Sequence, residues 1–161
     1  MKDKFVVDGM LGSLARKLRI FGYDTLYDTE MGDDEILDIA LIEDRIILTS
    51  NRKIHQKATN QKVKCVLLNE ESDYERLCKV LQGKCGKGAH LSPHDARCST
   101  CNGKINQVSK SEVSNLVPKG ALQNQEEFYR CISCGKVYWI GGHWQHLYAL
   151  SEKISKRLRQ A

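Results

Sequence analysis

Four cysteines of the C-terminal third form two close pairs. Cys98 and Cys101 make one Cys-x-x-Cys motif, Cys131 and Cys134 make the other, and 29 residues separate the motifs. Two intervening residues let both sulfurs of a motif reach one ion, and two motifs complete a tetrahedral shell of four thiolates. Such a shell leaves no position for water or substrate, so the pattern predicts one structural zinc ion. A redox role suits a single motif better than two.

Three carboxylates of the N-terminal half could hold a metal of a different kind. Asp8 follows an apolar run, and Asp33 and Asp34 open a helical pattern. If the preceding strands are parallel, their carboxyl ends meet at one edge of a sheet and bring these acids into one crevice. Converging carboxylates suit Mg²⁺ or Mn²⁺, which can activate water for phosphodiester hydrolysis. The alternative is structural, with Asp8 ending a strand and Asp33 capping a helix.

Basic and aromatic residues that could bind RNA lie in both halves of the chain. One group lies on the polar side of the first predicted helix and after the third predicted strand: Arg16, Lys17, Arg19, Arg52 and Lys53. In the cysteine module, charge alternates with rings that could stack on bases. These residues are Lys136, Tyr138, Trp139 and Trp144. Otherwise both groups are ordinary solvated or packing surfaces.

The elements that must position these residues follow an α/β pattern. Over the first 80 residues, short apolar runs alternate with helical periodicity, which predicts βα units around a central parallel sheet flanked by helices. The predicted strands are 5–7, 25–27, 45–49 and 64–68. The predicted helices begin near residues 11, 33, 53 and 72.

The composition divides the chain into four parts. We expect an α/β domain at 1–82, a glycine-rich linker at 83–95, the cysteine module at 96–143 and an amphipathic helix at 144–161. The start does not suit a signal peptide, and no apolar run approaches the ~20 residues of a membrane span, so a soluble, cytoplasmic protein is expected.

The basic residues are distributed unevenly. Residues 1–94 hold 15 Lys/Arg and 15 Asp/Glu, whereas residues 95–161 hold 10 and 5, which accounts for the net charge of +5. Four thiolates and Zn²⁺ would add −2 there and leave about +3. This mild excess is compatible with a polyanionic partner.

Several segments resemble the Mut-seven C-terminal ribonuclease domain family. They are FVVDGMLGSLAR at 5–16, which continues as LRIFGYDT at 18–25, the segment 33–40 and RIILTSNR at 45–52. Around the cysteines, the matching positions are 97–102, 117–118, 128, 131–139 and 142–143. The resemblance implies a PIN-like nuclease domain followed by a Cys₄ zinc ribbon. It also implies metal-dependent cleavage of RNA.

One position departs from that family. The segment after the third strand usually reads Thr-Arg-Asp-Arg, and this chain has Asn51. Asparagine is neutral and coordinates through one oxygen, so a metal site there loses a negative charge. A fourth acid could come from Glu70, Glu71 or Asp73.

Three functions therefore stay open. The first is an Mg²⁺- or Mn²⁺-dependent ribonuclease in which Asp8, Asp33 and Asp34 hold the metal. The second is a catalytically impaired module that binds RNA, a ribosome or another ribonucleoprotein. The third is a protein-interaction domain.

Overall fold

The structure, a computed structural model, describes residues 2–82 and 89–160. Its first sheet has four parallel strands in the order β2-β1-β3-β4. The strands are β1 (Phe5–Val7), β2 (Thr25–Tyr27), β3 (Ile46–Thr49) and β4 (Cys65–Leu67). The predicted α/β class with a central parallel sheet is confirmed.

Helices cover both faces of this sheet. They are α1 (Gly12–Ile20), α2 (Asp33–Glu43), α3 (Arg52–Asn60) and α4 (Asp73–Leu81). Phe5 and Val7 of β1 face a core that α1 and α4 cover, whereas Val6 and Ile47 face a second core beneath α2 and α3. Because β1 and β3 are buried on both faces, they read in the sequence as unbroken apolar runs.

The second sheet belongs to the cysteine module, and we call residues 96–141 the ribbon. Its antiparallel strands β5 (Ile105–Val108), β6 (Phe128–Cys131) and β7 (Val137–Trp139) pair in sequence order. The connection from β5 to β6 contains a 3₁₀ turn (Lys110–Val113) and α5 (Lys119–Asn124). The polar sequence of this connection predicts neither element.

The C-terminal helix α6 (Gly142–Gln160) packs on the N-terminal domain. Leu147 and Ile154 are buried in the same core as α1 and α4, and the Ser155 hydroxyl donates to the Ala89 carbonyl at 3.0 Å. Of the predicted linker, residues 83–88 lie outside the described residues, while Ala89 and Leu91 are buried in that core. Within the described residues, no helix combines the length and apolar character required to cross a bilayer.

Arg19 joins the N-terminal domain to the ribbon. Its side chain is 4% exposed and donates to the carbonyls of Thr25 (2.9 Å), Ser99 (2.9 Å) and Thr100 (3.2 Å). The prediction that Arg19 lies on the polar side of α1 with Arg16 and Lys17 is therefore wrong. The three carbonyls satisfy a buried guanidinium, which leaves Arg19 unable to reach a phosphate at the surface.

Asp24 makes a second polar contact between the two parts. Its Oδ1 accepts hydrogen bonds from Arg45 and from the Asn102 side-chain amide, each at 2.8 Å. Asn102 also accepts a hydrogen bond from the Thr25 N–H at 3.0 Å, which covers the outer edge of β2. The ribbon is thus fixed to the N-terminal domain by directional bonds.

Candidate functional site

The strand order places a crevice between the carboxyl ends of β1 and β3. The chain leaves β1 for β2 on one side of the sheet and later returns to β3 on the other, and ligands of open α/β sheets bind at such a switch point. Asp8 follows β1 directly, and its Oδ2 accepts a hydrogen bond from the Thr49 hydroxyl at 2.9 Å. Its Oδ1 accepts a longer one from the Met10 N–H at 3.4 Å. The Asp8 carboxylate is therefore oriented at the switch point.

Asp33 and Asp34 begin α2, in the connection that follows β2. Asp34 is 89% exposed and pairs with Lys57 at 3.4 Å, whereas Asp33 is half-buried and has no hydrogen-bond or ion-pair partner in the described part of the chain. Apart from the four cysteines, no group of three or more His, Cys, Asp or Glu side chains among residues 2–82 and 89–160 is arranged to hold a metal ion. The metal role of Asp8, Asp33 and Asp34 stays a prediction.

Asn51, the residue that departs from the family pattern, is the N-cap of α3. Its side-chain oxygen accepts a hydrogen bond from the Lys53 N–H at 2.9 Å, and its own N–H donates to the Thr49 hydroxyl oxygen at 2.9 Å. A chain of hydrogen bonds thus runs from Asn51 through Thr49 to Asp8. Asn51 supports the site through its backbone, while its side chain is used for capping.

Two of the three candidate fourth acids are paired with basic residues. Asp73 accepts hydrogen bonds from Ser13 (2.6 Å), Lys17 (2.7 Å) and Arg76 (3.1 Å). Burial raises the pKa of this carboxyl, but the bonds from Lys17 and Ser13 outweigh burial and hold the pKa below its usual value. Glu70 pairs with Lys79 at 2.9 Å. The third candidate, Glu71, is exposed.

The predicted RNA-binding residues of the N-terminal domain differ in their availability. Arg16 is exposed on α1 and has no hydrogen-bond or ion-pair partner among the residues described. Lys17 is held by Asp73. Arg52 and Lys53 are exposed in the first turn of α3, close in the chain to the switch point.

The four cysteine side chains converge as predicted. All their sulfurs lie within 4.8 Å of one another; Cys98 and Cys134 are 3.6 Å apart, and Cys101 and Cys131 are 3.4 Å apart. A tetrahedral zinc site with Zn–S bonds of ~2.3 Å requires sulfurs ~3.8 Å apart. The cluster can therefore hold a metal such as zinc.

Both motifs close with the same turn. The Asn102 N–H donates to the Cys98 carbonyl at 2.9 Å, and the Gly135 N–H donates to the Cys131 carbonyl at 3.1 Å. Asn102 (φ 69°) and Gly135 (φ 80°) are both left-handed, a conformation that glycine and asparagine tolerate best. Gly103 is required for space instead, because a Cβ there would lie 2.9 Å from the Cys131 sulfur.

Tyr138 belongs to the cysteine cluster. Its hydroxyl lies 3.0 Å from the Cys98 sulfur and accepts a hydrogen bond from the Ser99 N–H at 3.1 Å. Burial and the contact with Cys98 raise the pKa of Tyr138 to about 12. Burial would also raise the pKa of Cys98, but the hydrogen bond from Tyr138 and those from the motif backbone lower it to about 6. The hydroxyl of Tyr138 thus stabilises the thiolate that a metal requires.

Trp139 and Trp144, the other aromatic residues that could stack on bases, line a cavity beside the cysteine cluster. Trp139 and Trp144 are half-buried, and the Trp139 ring packs on Phe128 with ring centroids 6.4 Å apart. Lys136 is exposed nearby, with its Nζ 3.2 Å from the Thr100 hydroxyl. No sequence pattern predicts that these three residues share one cavity.

Thr49 and Asn102 were missed in the sequence. Thr49 is fully buried at the end of β3, where a threonine reads as an ordinary strand residue. The sequence signal that could identify Thr49 is its position directly after an apolar run, level with Asp8 at the end of the neighbouring strand. The pairing of Asn102 with Asp24 spans 78 positions, and no local pattern reports it.

The N-terminal part is a parallel sheet with helices on both faces and an oriented acid at its switch point. It is joined to a ribbon in which four cysteines converge, so the protein belongs to the α/β class and carries a second, smaller sheet. The family model described as the Mut7-C RNAse domain matches residues 3–151, and the chain belongs to this family. No curated protein and no solved structure gives a significant match.

Proposed function

We propose that this protein is a ribonuclease that requires Mg²⁺ or Mn²⁺ and cleaves RNA phosphodiester bonds at the carboxyl edge of its parallel sheet. The observation that carries the proposal is the Asp8 carboxylate, which Thr49 orients at the crevice between β1 and β3. Membership of an RNAse domain family supports RNA as the substrate.

In this proposal, Asp8 and Asp33 hold the ion. Magnesium is usually held by one or two carboxylates together with waters and substrate phosphates, so the donor set does not need three converging acids. Asp8 has lone pairs beyond those used by Thr49 and Met10, and Asp33 is not engaged elsewhere in the described chain. Asp34 can contribute once it leaves Lys57. A bound ion supplies charge neutralisation at the phosphate and an activated water.

The ribbon metal has a different role in this proposal. Four thiolates fill the tetrahedral shell of a zinc ion, so the proposed zinc is structural and holds together a segment too small to bury a core of its own. Its position beside Arg19 ties the shape of the ribbon to α1 of the nuclease domain.

Asn51 favours a second candidate function. The side-chain oxygen of Asn51 is used to cap α3, and the negative charge expected at this position is absent. A chain that has lost metal affinity in this way could bind RNA, or RNA within a ribosome or other ribonucleoprotein, without cleaving it. The remaining excess charge of about +3 on residues 95–161 is compatible with this role.

Cleavage of single-stranded RNA by the zinc-loaded protein, titrated with Mn²⁺ and Mg²⁺, tests both functions. Divalent ions are omitted rather than chelated in the blank, since a chelator also removes zinc. Asp8→Asn and Asp33→Asn are expected to lower the cleavage rate by about 100-fold or more, because each removes a charged ligand. Asn51→Asp is expected to lower the Mn²⁺ concentration needed for half-maximal rate.

Asp38→Asn is the matched control, because Asp38 is an exposed acid of the same helix, one turn after Asp34. It should cleave as the wild type does. Wild-type protein that leaves varied RNAs intact at every Mn²⁺ concentration contradicts the nuclease proposal. If that protein still binds RNA, and Asn51→Asp creates cleavage, the second function is supported.

A further inference from the structure

An aromatic cavity of about 290 Å³ lies between the ribbon and the N-terminal domain. We call it the aromatic cleft and define it by Ile20, Lys136, Trp139, Gly141, His143 and Trp144. Ile20 comes from the last turn of α1, Trp139 from β7, and His143 and Trp144 from the first turn of α6. Three elements from both parts of the chain therefore build one concave surface.

The walls of the aromatic cleft suit a flat aromatic ligand. Trp139 and Trp144 are each only partly buried, so indole surface remains available inside the cavity. Stacking on such surfaces is the usual way in which proteins hold unpaired bases, since every base has a π face. Half-buried indoles over an apolar floor bind a ring better than they bind an extended polar chain.

The charge around the aromatic cleft suits a phosphate on the same ligand. Lys136 is exposed at the rim, and its ammonium is within 5.3 Å of the Tyr138 ring centroid, on the cysteine-cluster side. The cavity also includes the start of α6, a helix of 19 residues with no acidic residue in its first turn. The N-terminal N–H groups of a helix favour anions, so they add to the charge of Lys136.

Helix α1 connects the aromatic cleft to the switch point. It begins four residues after Asp8 and ends at Ile20, a rise of about 12 Å from Gly12 to Ile20. Arg16 lies one turn before Ile20 on the same side of the helix and is exposed without a partner among the described residues. A strand that crosses this surface would meet Arg16 between the cleft and Asp8.

We propose that the aromatic cleft binds an unpaired base of single-stranded RNA, a few nucleotides from the phosphate held at Asp8, and that Arg16 contacts the backbone between them. The inference rests on the proposed function for the identity of the ligand. It assigns base contacts to Trp139 and Trp144, while Tyr138 serves the cysteine cluster. By holding one base, the aromatic cleft determines which phosphate of the RNA can reach Asp8.

Tryptophan fluorescence reports this cleft selectively. The chain has two tryptophans, and both line the cleft. The probes are hexauridylate and an abasic ribose-phosphate of the same length, added to zinc-loaded wild-type protein without Mg²⁺ or Mn²⁺ so that no turnover occurs. Hexauridylate should quench the fluorescence saturably, and the abasic probe should bind about tenfold more weakly and quench little.

Variants test the same contact by the anisotropy of labelled hexauridylate. Trp139→Ala should weaken binding about tenfold, Trp139→Phe should retain most of it, and Arg16→Gln should weaken both probes alike. Tyr148→Ala is the matched control, because Tyr148 is a 52% exposed aromatic residue of α6 outside the cleft. Melting curves and zinc content check the fold of each variant, and the comparison of probes on wild-type protein does not depend on any variant.

Equal affinity for the two probes, or binding without quenching, overturns the proposal. So does saturable quenching by an apolar peptide where hexauridylate has no effect, which would make the cleft a protein-docking site. If hexauridylate quenches the fluorescence of a protein that shows no nuclease activity, base binding in the cleft is supported and RNA hydrolysis is rejected. If the protein cleaves RNA but its fluorescence shows no base-dependent quenching, RNA hydrolysis is supported and base binding in the cleft is rejected.

Discussion

Asp73 links the first and fourth helices of the N-terminal domain. Its carboxylate accepts hydrogen bonds from Ser13 and Lys17 of α1 and from Arg76 of its own helix, and its side chain is 16% exposed. A carboxylate with three donors is a poor candidate for a metal ligand, because a cation would have to displace Lys17 and Arg76. Its role is to hold α4 against α1.

This role predicts a pH dependence of stability. The pKa of Asp73 is lower in the folded protein than the ~3.9 of an unfolded chain, so its ionised form stabilises the fold above that value. Asp73→Asn should therefore lower the free energy of unfolding by about 2 kcal/mol at pH 7. The difference from wild type should vanish as the pH falls through the folded pKa.

Urea unfolding of both proteins between pH 7 and pH 3 measures this difference. Both share the cysteine cluster, so loss of its metal in acid affects the two curves alike. Glu71→Gln, at an exposed neighbouring acid, is the control and should show no such trend. A difference between Asp73→Asn and wild type that is constant from pH 7 to pH 3 would contradict the assignment.

Helix α1 contacts each functional part of the molecule. Leu14, Ala15 and Leu18 face the first core, Arg16 faces solvent, and Arg19 reaches into the first cysteine motif. The guanidinium of Arg19 donates to Ser99 and Thr100, the two residues between Cys98 and Cys101. The N-terminal domain therefore fixes the position of the first cysteine motif.

Arg19→Met tests this link. The substitution keeps an apolar stem but leaves buried carbonyls without a donor, so it should lower the free energy of unfolding by about 3 kcal/mol. Arg19→Lys should recover only part of the loss, because one ammonium cannot reproduce the planar fork of a guanidinium. Urea unfolding of the zinc-loaded protein measures both.

Arg16→Met is the control on the same helix, and its change should stay within about 0.5 kcal/mol because Arg16 is exposed. If Arg19→Met is no more destabilising than Arg16→Met, the contact with the motif does not stabilise the protein.

The sequence predicts the elements better than it predicts the bonds between them. The run Ile46, Ile47 and Leu48 is apolar because β3 is covered on both faces, and the unbroken run itself indicates such a strand. The buried role of Arg19 depends on carbonyls 80 positions away, so its residue type suggests a solvated helix face. The four cysteines were predictable because metal chemistry fixes their spacing, whereas the acids carry no comparable constraint.

At the scale of the whole molecule, the chain returns from the ribbon to complete the core of the N-terminal domain. Helix α6 buries Leu147 and Ile154 in the core that α1 and α4 cover, and Arg157 of α6 pairs with Glu75 of α4 at 2.8 Å. Together with the contacts of Arg19 and Asp24, these bonds give each part a share in the stability of the other. The two modules should therefore unfold together.

Zinc removal should accordingly destabilise the entire chain. If four thiolates organise the ribbon, their metal contributes several kcal/mol, and its loss should lower the melting temperature by about 10 °C or more. Cys98→Ser should behave like the zinc-free protein, whereas Cys65→Ser, at a cysteine outside the cluster, should retain zinc and melt as the wild type does. Elemental analysis gives the zinc content. The helical circular dichroism signal, to which α1 to α4 contribute, gives the melting temperature of the N-terminal domain. If that domain melts at the same temperature with and without zinc, the ribbon is an independent appendage and the contacts of Arg19 do not couple the two modules.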